Sequence, residues 1–182
     1  MDTVTATGAI KAAEAHGAHL APLGLADGRA IEALLDLSFG HERRQRTAYR
    51  LRDGVAAEPV ASCAAFDEHG RLVGSLQSWP LALVGEDDSV TPLWLVGPIA
   101  VHPDRRSEGI GRTMLRRALA AIDGTGIPAV LIGDPEYYGP FGFTAEATGG
   151  WELPGPFERR RLLARLDEGQ SLPARGRLAP RG

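Results

Sequence analysis

Apolar residues run almost unbroken through 93–101, LWLVGPIAV, and the periodicity changes behind two glycines a few residues later. A run of this kind predicts a strand covered on both faces. Gly97-Pro98 interrupts it. Proline has no N–H for the ladder and glycine relaxes the backbone, so the pair predicts a bulge that parts the strand from one neighbour. From Gly109 onward, Ile110, Met114, Leu115, Ala118, Leu119 and Ile122 recur at helical spacing, with Arg112, Arg116 and Arg117 on the opposite face. The helix is expected to stop near Asp123-Gly124.

Around this strand, turn and helix the remaining pattern is that of a mixed sheet. Residues 18–23 predict a first edge strand. Asp27 then caps a helix that turns Ile31, Leu34, Leu35 and Phe39 inward and ends at Gly40. Residues 42–52, ERRQRTAYRLR, predict a short basic helix closed by Asp53-Gly54. Two strands, 60–66 and 72–79, are joined by the turn-forming Asp67-Glu68-His69-Gly70, and a second turn at 85–89 leads back into the central strand. The result is an antiparallel meander of strands two, three and four. The short apolar run 129–132 follows the glycine-led helix, so a right-handed crossover sets it parallel to the central strand. Asp134-Pro135 starts a brief helix that holds Tyr137 and Tyr138. Phe143 begins another strand, 151–156 is a Pro/Gly loop, and 157–166 is the last strand, with Arg159, Arg160 and Arg161 as a solvated edge. Residues 1–17 and 169–182 have little apolar patterning and are expected to be flexible, leaving a single domain over 18–168.

A chain of 182 residues suits that single domain. A net charge of −3 gives no overall attraction to nucleic acid or anionic membrane, and no apolar run approaches the ~20 residues that span a bilayer. One cysteine, Cys63, precludes an internal disulfide and reads as a small buried hydrophobe. With no signal-like apolar segment at the N-terminus, the expected compartment is the cytoplasm. The five histidines show no metal-ligand spacing, so no metal is expected.

Candidate chemistry begins at Arg106-Ser107-Glu108-Gly109-Ile110-Gly111-Arg112. Glycines let the main chain approach a ligand closely, and the first helical turn offers unpaired N–H groups at the positive end of its dipole, which together suit a pyrophosphate. The third glycine of a dinucleotide fingerprint is missing, and no G-x-x-x-x-G-K-[ST] occurs. The segment fits the R/Q-x-x-G-x-G/A signature of the GNAT superfamily of N-acetyltransferases. Downstream, GDPEYYGPFGF at 133–143 resembles the G-D-P-x-Y-Y-x-x-F-G-F block of the YhbS-like predicted acetyltransferases.

The resemblance implies an α/β (α+β) fold: a mixed, mostly antiparallel sheet of six to seven strands flanked by helices, with strands four and five a splayed parallel pair. It implies acetyl-CoA as cosubstrate. Pantetheine would lie along Ile99, Ala100 and Val101, and the pyrophosphate on Arg106, Ser107, Glu108, Gly109, Ile110, Gly111 and Arg112. Tyr138 takes the tyrosine position that acts as general acid in many members, its other reading being a phenol that packs beside the thioester. Tyr137 reads as packing. The acceptor would be a small-molecule amine or the amino group of a peptide or protein. Many members carry a glutamate on the fourth strand, but 93–101 holds no acid or histidine, so His41, Glu42 and then Glu136 are the candidates for the base. The five arginines at 43, 44, 46, 50 and 52 could attract an acidic acceptor or the phosphates of coenzyme A, but a solvated helix face is the reading preferred for such a run. A homodimer is expected through the last strand, near Trp151 and Phe157. The rival function is an acyl-CoA sensor or interaction protein that does not turn over.

Overall fold

The computed structural model describes residues 14, 15 and 17–182. Of the segment 1–17, expected to be flexible, residues 1–13 and 16 lie outside this range; Glu14–Ala15 forms a two-residue strand, β1. The sheet is organised on two long strands, β4 (Leu72–Val84) and β5 (Val90–Val101), paired antiparallel over nearly their whole length. β3 (Cys63–Asp67) precedes β4 in a hairpin whose turn is pinned by Asp67. Its Oδ1 accepts from the backbone N–H groups of His69 and Arg71, both at 2.9 Å, and its Oδ2 from Arg71 Nε at 2.8 Å. β2 (Ala18–Pro22) lies antiparallel outside β3, and β1 outside β2.

On the far side of β5 comes β6 (Ala129–Ile132), the parallel partner that the crossover rule predicts, followed by antiparallel β8 (Leu162–Arg165). The expected fold class therefore stands: a mixed, mostly antiparallel sheet flanked by helices, with one parallel pair. The sheet has nine strands rather than six or seven. The additional ones are β1, β7 (Gly150–Glu152) and β9 (Arg175–Pro180).

β9 corrects the expectation of a flexible 169–182 tail. β5 occupies one edge of β4, and β3 covers only residues 72–76 of the other, which leaves 81–84 with an open edge. β9 fills it antiparallel, with Leu83 opposite Leu178, and β7 pairs parallel to β9. Leu178, 1% exposed, is the one large apolar side chain of β9, and it enters the core beside Leu81, Leu83 and Trp151, with Leu172 packed against the same cluster. Trp151, placed near a subunit surface by the sequence reading, is fully buried, and its Nε1 donates to the Pro173 carbonyl at 2.8 Å.

Other segments also depart from their predicted form. The strand expected from Phe143 is only a bridge between Thr144 and Ala164 followed by a 3-10 turn, because Glu146–Thr148 curls away, and the loop expected at 151–156 begins inside β7. The basic stretch 42–52 is a 3-10 turn at His41–Gln45 followed by one α turn, α2 (Thr47–Arg50). The predicted strand 157–166 is strand only from Leu162; three consecutive arginines form a 3-10 turn before it. Runs of long charged side chains gain little from a two-faced strand when neither face is dry.

Helices cover both faces of the sheet. α3 (Ile110–Asp123) buries Ile110, Met114, Leu115, Ala118, Leu119 and Ile122, the predicted stripe, against Val73, Trp94 and Val96. α1 (Gly28–Phe39), capped by Asp27 Oδ1 at 3.0 and 3.1 Å from the N–H groups of Arg29 and Ala30, packs Ile31, Leu34 and Leu35 on Ala100. Alternation along β5 sends Trp94 and Val96 towards α3 and Leu93 and Leu95 to the other face, as a doubly covered strand requires. Cys63 is buried under α3, and burial pushes its thiol up to about 11, which leaves it inert. Among the described residues no helix is long and apolar enough to cross a membrane.

If β9 belongs to the folded unit, Leu178→Ala should destabilise the protein by about 2–4 kcal/mol, the usual cost of emptying a buried leucine site. Leu25→Ala, at a position 72% exposed, should stay within about 0.5 kcal/mol. Chemical denaturation of the two variants checks this; equal small effects would mean that the C-terminal segment does not pack.

Candidate active site

The central irregularity lies where the sequence put it. Leu76 faces Ile99 and Ser78 faces Val96, so the single Gln77 on β4 stands opposite Gly97 and Pro98 on β5. This two-against-one count is a β-bulge. The indole Nε1 of Trp79 donates to the Gly97 carbonyl at 3.0 Å and holds the bulge from the neighbouring strand. The parallel pairing of β5 with β6 is confined to Trp94↔Ala129 and Leu95↔Val130. Beyond Leu95 the strands part.

Register decides which backbone groups face the gap. His102 N–H donates to the Val73 carbonyl at 2.8 Å, next to the Gly74↔Val101 pair. In an antiparallel ladder hydrogen-bonding positions alternate, so Ala100 bonds towards β4, while Ile99 and Val101 turn their N–H and C=O groups away from it. A cleft of about 1280 Å³ opens there, lined on this side by Leu95, Val96, Gly97, Pro98, Ile99 and Val101.

One end of the cleft meets the start of α3. Gly109 takes the left-handed conformation at φ 77°, Ser107 does so at φ 68°, and no side chain caps the helix. The first-turn N–H groups are therefore left to solvent or a ligand. A Cβ built on Gly111 would stand 3.2 Å from the Tyr137 hydroxyl and 3.5 Å from Val101 Cγ2, so this glycine keeps the main chain close to the cleft wall. Arg106 and Gly111 line the cleft, and the Arg112 guanidinium lies over the Tyr137 ring at 5.6 Å. Three of the predicted contact residues direct their side chains elsewhere. Glu108 pairs with Arg105 at 2.7 Å, Ile110 is in the core, and Ala100 packs under α1, so these can meet a ligand only through their backbone.

The opposite wall is made by Ile132, Gly133, Asp134, Tyr137 and Tyr138. α4 (Pro135–Tyr138) is a single turn that begins at Asp134. A Cβ on Gly133 would fall 2.2 Å from Tyr138 Cε2, so the tyrosine ring lies directly on the glycine backbone. Tyr137 and Phe143 flank that ring edge-on, with centroids at 4.8 and 6.2 Å. Burial first, then the neighbouring Tyr137 and Asp134, push the Tyr138 phenol up to about 12. It is therefore protonated at neutral pH and can donate a proton but not accept one.

The third wall comes from α1, α2 and the loop before β8. Arg43 is buried, with Nη2 on Glu32 at 2.6 Å, Nε on Asp36 at 2.7 Å and Nη1 on the Tyr49 hydroxyl. These anionic and phenolic partners overcome its burial and raise its pKa. Thr47 Oγ1 and Arg50 Nη1 donate to the carbonyls of Pro156 and Pro154, both at 2.6 Å, which ties α2 to the 154–158 loop across the cleft. Arg44, Arg46 and Arg50 are exposed, as the preferred solvated-face reading expected, while Arg43 and Arg52 are buried in the wall.

None of the three residues suggested for the base reaches the cleft. His41 is 88% exposed and pairs with Asp36, Glu42 lines a separate shallow hollow, and Glu136 is exposed with Arg160 at 3.7 Å. The acids among the described lining residues are Asp134 and Glu158, which stand 3.5 and 3.8 Å from Arg161. Sequence reasoning took Asp134 only as a cap and gave Glu158 no role, since the loop that carries it was read as strand.

A model of the acetyltransferase (GNAT) domain matches residues 21–145. The chain belongs to the GNAT acetyltransferase family. Its fold is similar to a GNAT family N-acetyltransferase (YhbS) from Escherichia coli in complex with CoA, with TM-score 0.65, 24% identity, and 84% of this chain and 83% of that one covered. It is also similar to a GNAT family acetyltransferase from Brucella melitensis in complex with acetyl-CoA, with TM-score 0.61, 23% identity and coverage of 91% and 97%. A probable N-acyltransferase from Enterococcus faecalis shares the fold more distantly, with TM-score 0.54, 16% identity and coverage of 70% and 32%. No curated protein matches the sequence. As a GNAT chain, it carries the splayed pair and the glycine-led helix that the resemblance implied, but without an acid on β5.

The raised Tyr138 pKa gives a measurable consequence. Ultraviolet titration of wild type and Tyr138→Phe should give the same tyrosinate signal up to about pH 10, the ordinary tyrosine value, because Tyr138 ionises later. A phase below that pH present only in the wild type would overturn the assignment.

Proposed function

We propose that the protein is an acetyl-CoA-dependent N-acetyltransferase that passes acetyl directly to a primary amine of a small molecule or of a peptide or protein. The observation that carries this is the backbone edge of Ile99 and Val101 that no strand pairs, running from the bulge to the uncapped start of α3, with only the Val101 carbonyl met, by the Ser38 hydroxyl at 3.4 Å. The Gly111 cradle, where a Cβ would meet Tyr137, suits a pyrophosphate on main-chain N–H groups. Arg106, Ser107, Glu108, Gly109, Ile110, Gly111 and Arg112 form that end, and Ile99, Ala100 and Val101 offer pantetheine an edge like that of an added strand.

Bound acetyl-CoA would supply an acetyl thioester, whose carbonyl carbon takes the amine lone pair as the C–S bond breaks. The bulge backbone is suited to donate a hydrogen bond to the carbonyl oxygen as negative charge grows there. Tyr138 lines the cleft with its phenol protonated, and its position suits it to hydrogen-bond the departing sulfur and pass it a proton, with burial making it a weaker acid until the thiolate forms beside it. The amine must lose a proton, and Asp134 and Glu158 are the cleft acids that could take it, directly or through water. No nucleophile on the protein is needed. The lack of an acid on β5 favours a second reading, an acyl-CoA sensor without turnover; release of free CoA across a broad amine panel separates the two.

Acetyl-CoA at a hundred times its Kd should add about 2.7 kcal/mol of stability, a melting shift of several degrees for a chain of this size. Gly111→Asp should abolish the shift; its Cβ would meet the Tyr137 hydroxyl at 3.2 Å, so the unliganded melting temperature should fall somewhat, and circular dichroism checks that the variant is still folded. No shift with CoA or acetyl-CoA at millimolar concentration would overturn the proposal.

Tyr138→Phe keeps the ring on Gly133 and removes only the hydroxyl. A general acid at this position predicts a loss in kcat of roughly 10²-fold or more, with acetyl-CoA affinity little changed. A tyrosine that merely packs and hydrogen-bonds predicts the reverse: unchanged kcat and binding weaker by about 1 kcal/mol.

A further inference from the structure

Two arginines on the α1–α2 wall are buried, and they differ in one respect. Arg43, 1% exposed, has two carboxylates and a phenol for its guanidinium. Arg52, 8% exposed, has no carboxylate within ion-pair distance among the described residues. Its Nε donates to the Ala48 carbonyl at 3.2 Å, and its guanidinium lies over the Tyr49 ring at 3.7 Å and the Trp79 ring at 5.2 Å. Among the described residues no carboxylate or carbonyl accepts from its terminal nitrogens, the Tyr49 phenol being the polar side chain bonded beside them, and the residue lines the cleft. A guanidinium taken out of water normally keeps a counter-ion. Here the structure holds the fork rigidly between two rings and leaves its far edge for something else.

Its location says which part of the cleft it serves. Trp79, on which Arg52 stacks, is the residue whose indole holds the Gly97 carbonyl at the bulge. Arg52 is therefore one side chain away from the bulge, whereas the start of α3, with Arg106 and Gly111, forms the other end. The phosphates of a cosubstrate seated on α3 do not need it. On the β6–β8 side the cleft is lined by two acids, Asp134 and Glu158, with one base, Arg161, between them at 3.5 and 3.8 Å, so this wall keeps an excess of acid.

From this we infer that Arg52 binds a carboxylate of the acceptor, so that the amine acetylated by this enzyme also carries a carboxyl group, as an amino acid does. The inference rests on the acetyltransferase reading and specifies its substrate class. A single guanidinium edge matches the two oxygens of one carboxylate in a bidentate pair. Stacking on Tyr49 and Trp79 fixes the plane of the fork before the substrate arrives, which reduces the ordering cost of binding. With the carboxylate on Arg52, the acidic side of the cleft is left for the ammonium end, near the bulge where transfer is proposed.

The test is a panel of matched amines measured by CoA release: glycine and β-alanine against glycinamide and ethylamine, longer amino acids against their amides, and phosphoethanolamine as an anionic control. The wild type should favour the carboxylates by at least about 10-fold in kcat/KM, in line with a charge-assisted pair in a dry site. Arg52→Met, which keeps an apolar chain between the rings, should raise KM for the carboxylates by about 10- to 100-fold. In this variant kcat for the amides and the KM for acetyl-CoA should hold, so the preference collapses. Arg52→Lys should restore part of it, and melting temperatures of both variants show whether the wall still folds. Turnover without preference for carboxylates, preference for phosphoethanolamine, or an equal loss on acids and amides in Arg52→Met would overturn the inference and leave the acetyltransferase reading standing. Failure of the wild type to bind acetyl-CoA would remove both.

Discussion

The structure depends on the interruption of one ladder. β5 pairs with β4 almost from end to end, but Gly97-Pro98 adds a residue opposite Gln77, and the parallel contact with β6 is over by Leu95. A backbone N–H or C=O withdrawn from a sheet must find water or another partner, because leaving it buried and unpaired costs as much as losing a hydrogen bond. The cleft answers that constraint for Ile99 and for the Val101 N–H, while the Ser38 hydroxyl meets the Val101 carbonyl at 3.4 Å. It also explains why the residues around it come from distant parts of the chain: the gap lies between two neighbouring strands, so the elements following each strand, α3 after β5 and α4 after β6, both open onto it.

Much of this was legible in the sequence because it rests on strong local signals. The apolar run broken by Gly97-Pro98, the stripe from Ile110 to Ile122 and the cap at Asp27 are short-range patterns, and each appears where expected. The failures are those of long-range pairing. Nothing local about Arg175–Pro180 announces a strand, since its pairing is decided by an open stretch of β4 more than ninety residues earlier. Residues 157–161 look extended in isolation but are held as a loop, with Thr47 bonded to the Pro156 carbonyl. The base candidates failed for the same reason: His41, Glu42 and Glu136 were chosen by sequence proximity to a groove whose walls are set by tertiary contacts.

The arginine-rich stretch shows how charge count misleads. Five arginines in eleven residues suggest a field, yet Arg43 is neutralised by Glu32 and Asp36, Arg44 shares Glu32, and Arg50 is bonded to the Pro154 carbonyl. These interactions shape the wall more than they charge it. Buried ion pairs of this kind are weak contributors to net stability but poor to break, since the surviving charge is stranded. The wall is therefore expected to be rigid where Arg43 anchors it, which is what a positioned guanidinium at Arg52 requires from its surroundings.

Glycine and tyrosine divide the work on the other walls. Gly133 lacks the Cβ that would strike the Tyr138 ring, and Gly111 lacks the one that would press on the Tyr137 hydroxyl. Each glycine lets an aromatic ring settle against backbone, so the two tyrosines are located by main-chain geometry rather than by flexible side chains. They also meet edge-on at 4.8 Å, so each ring forms part of the surface against which the other is held.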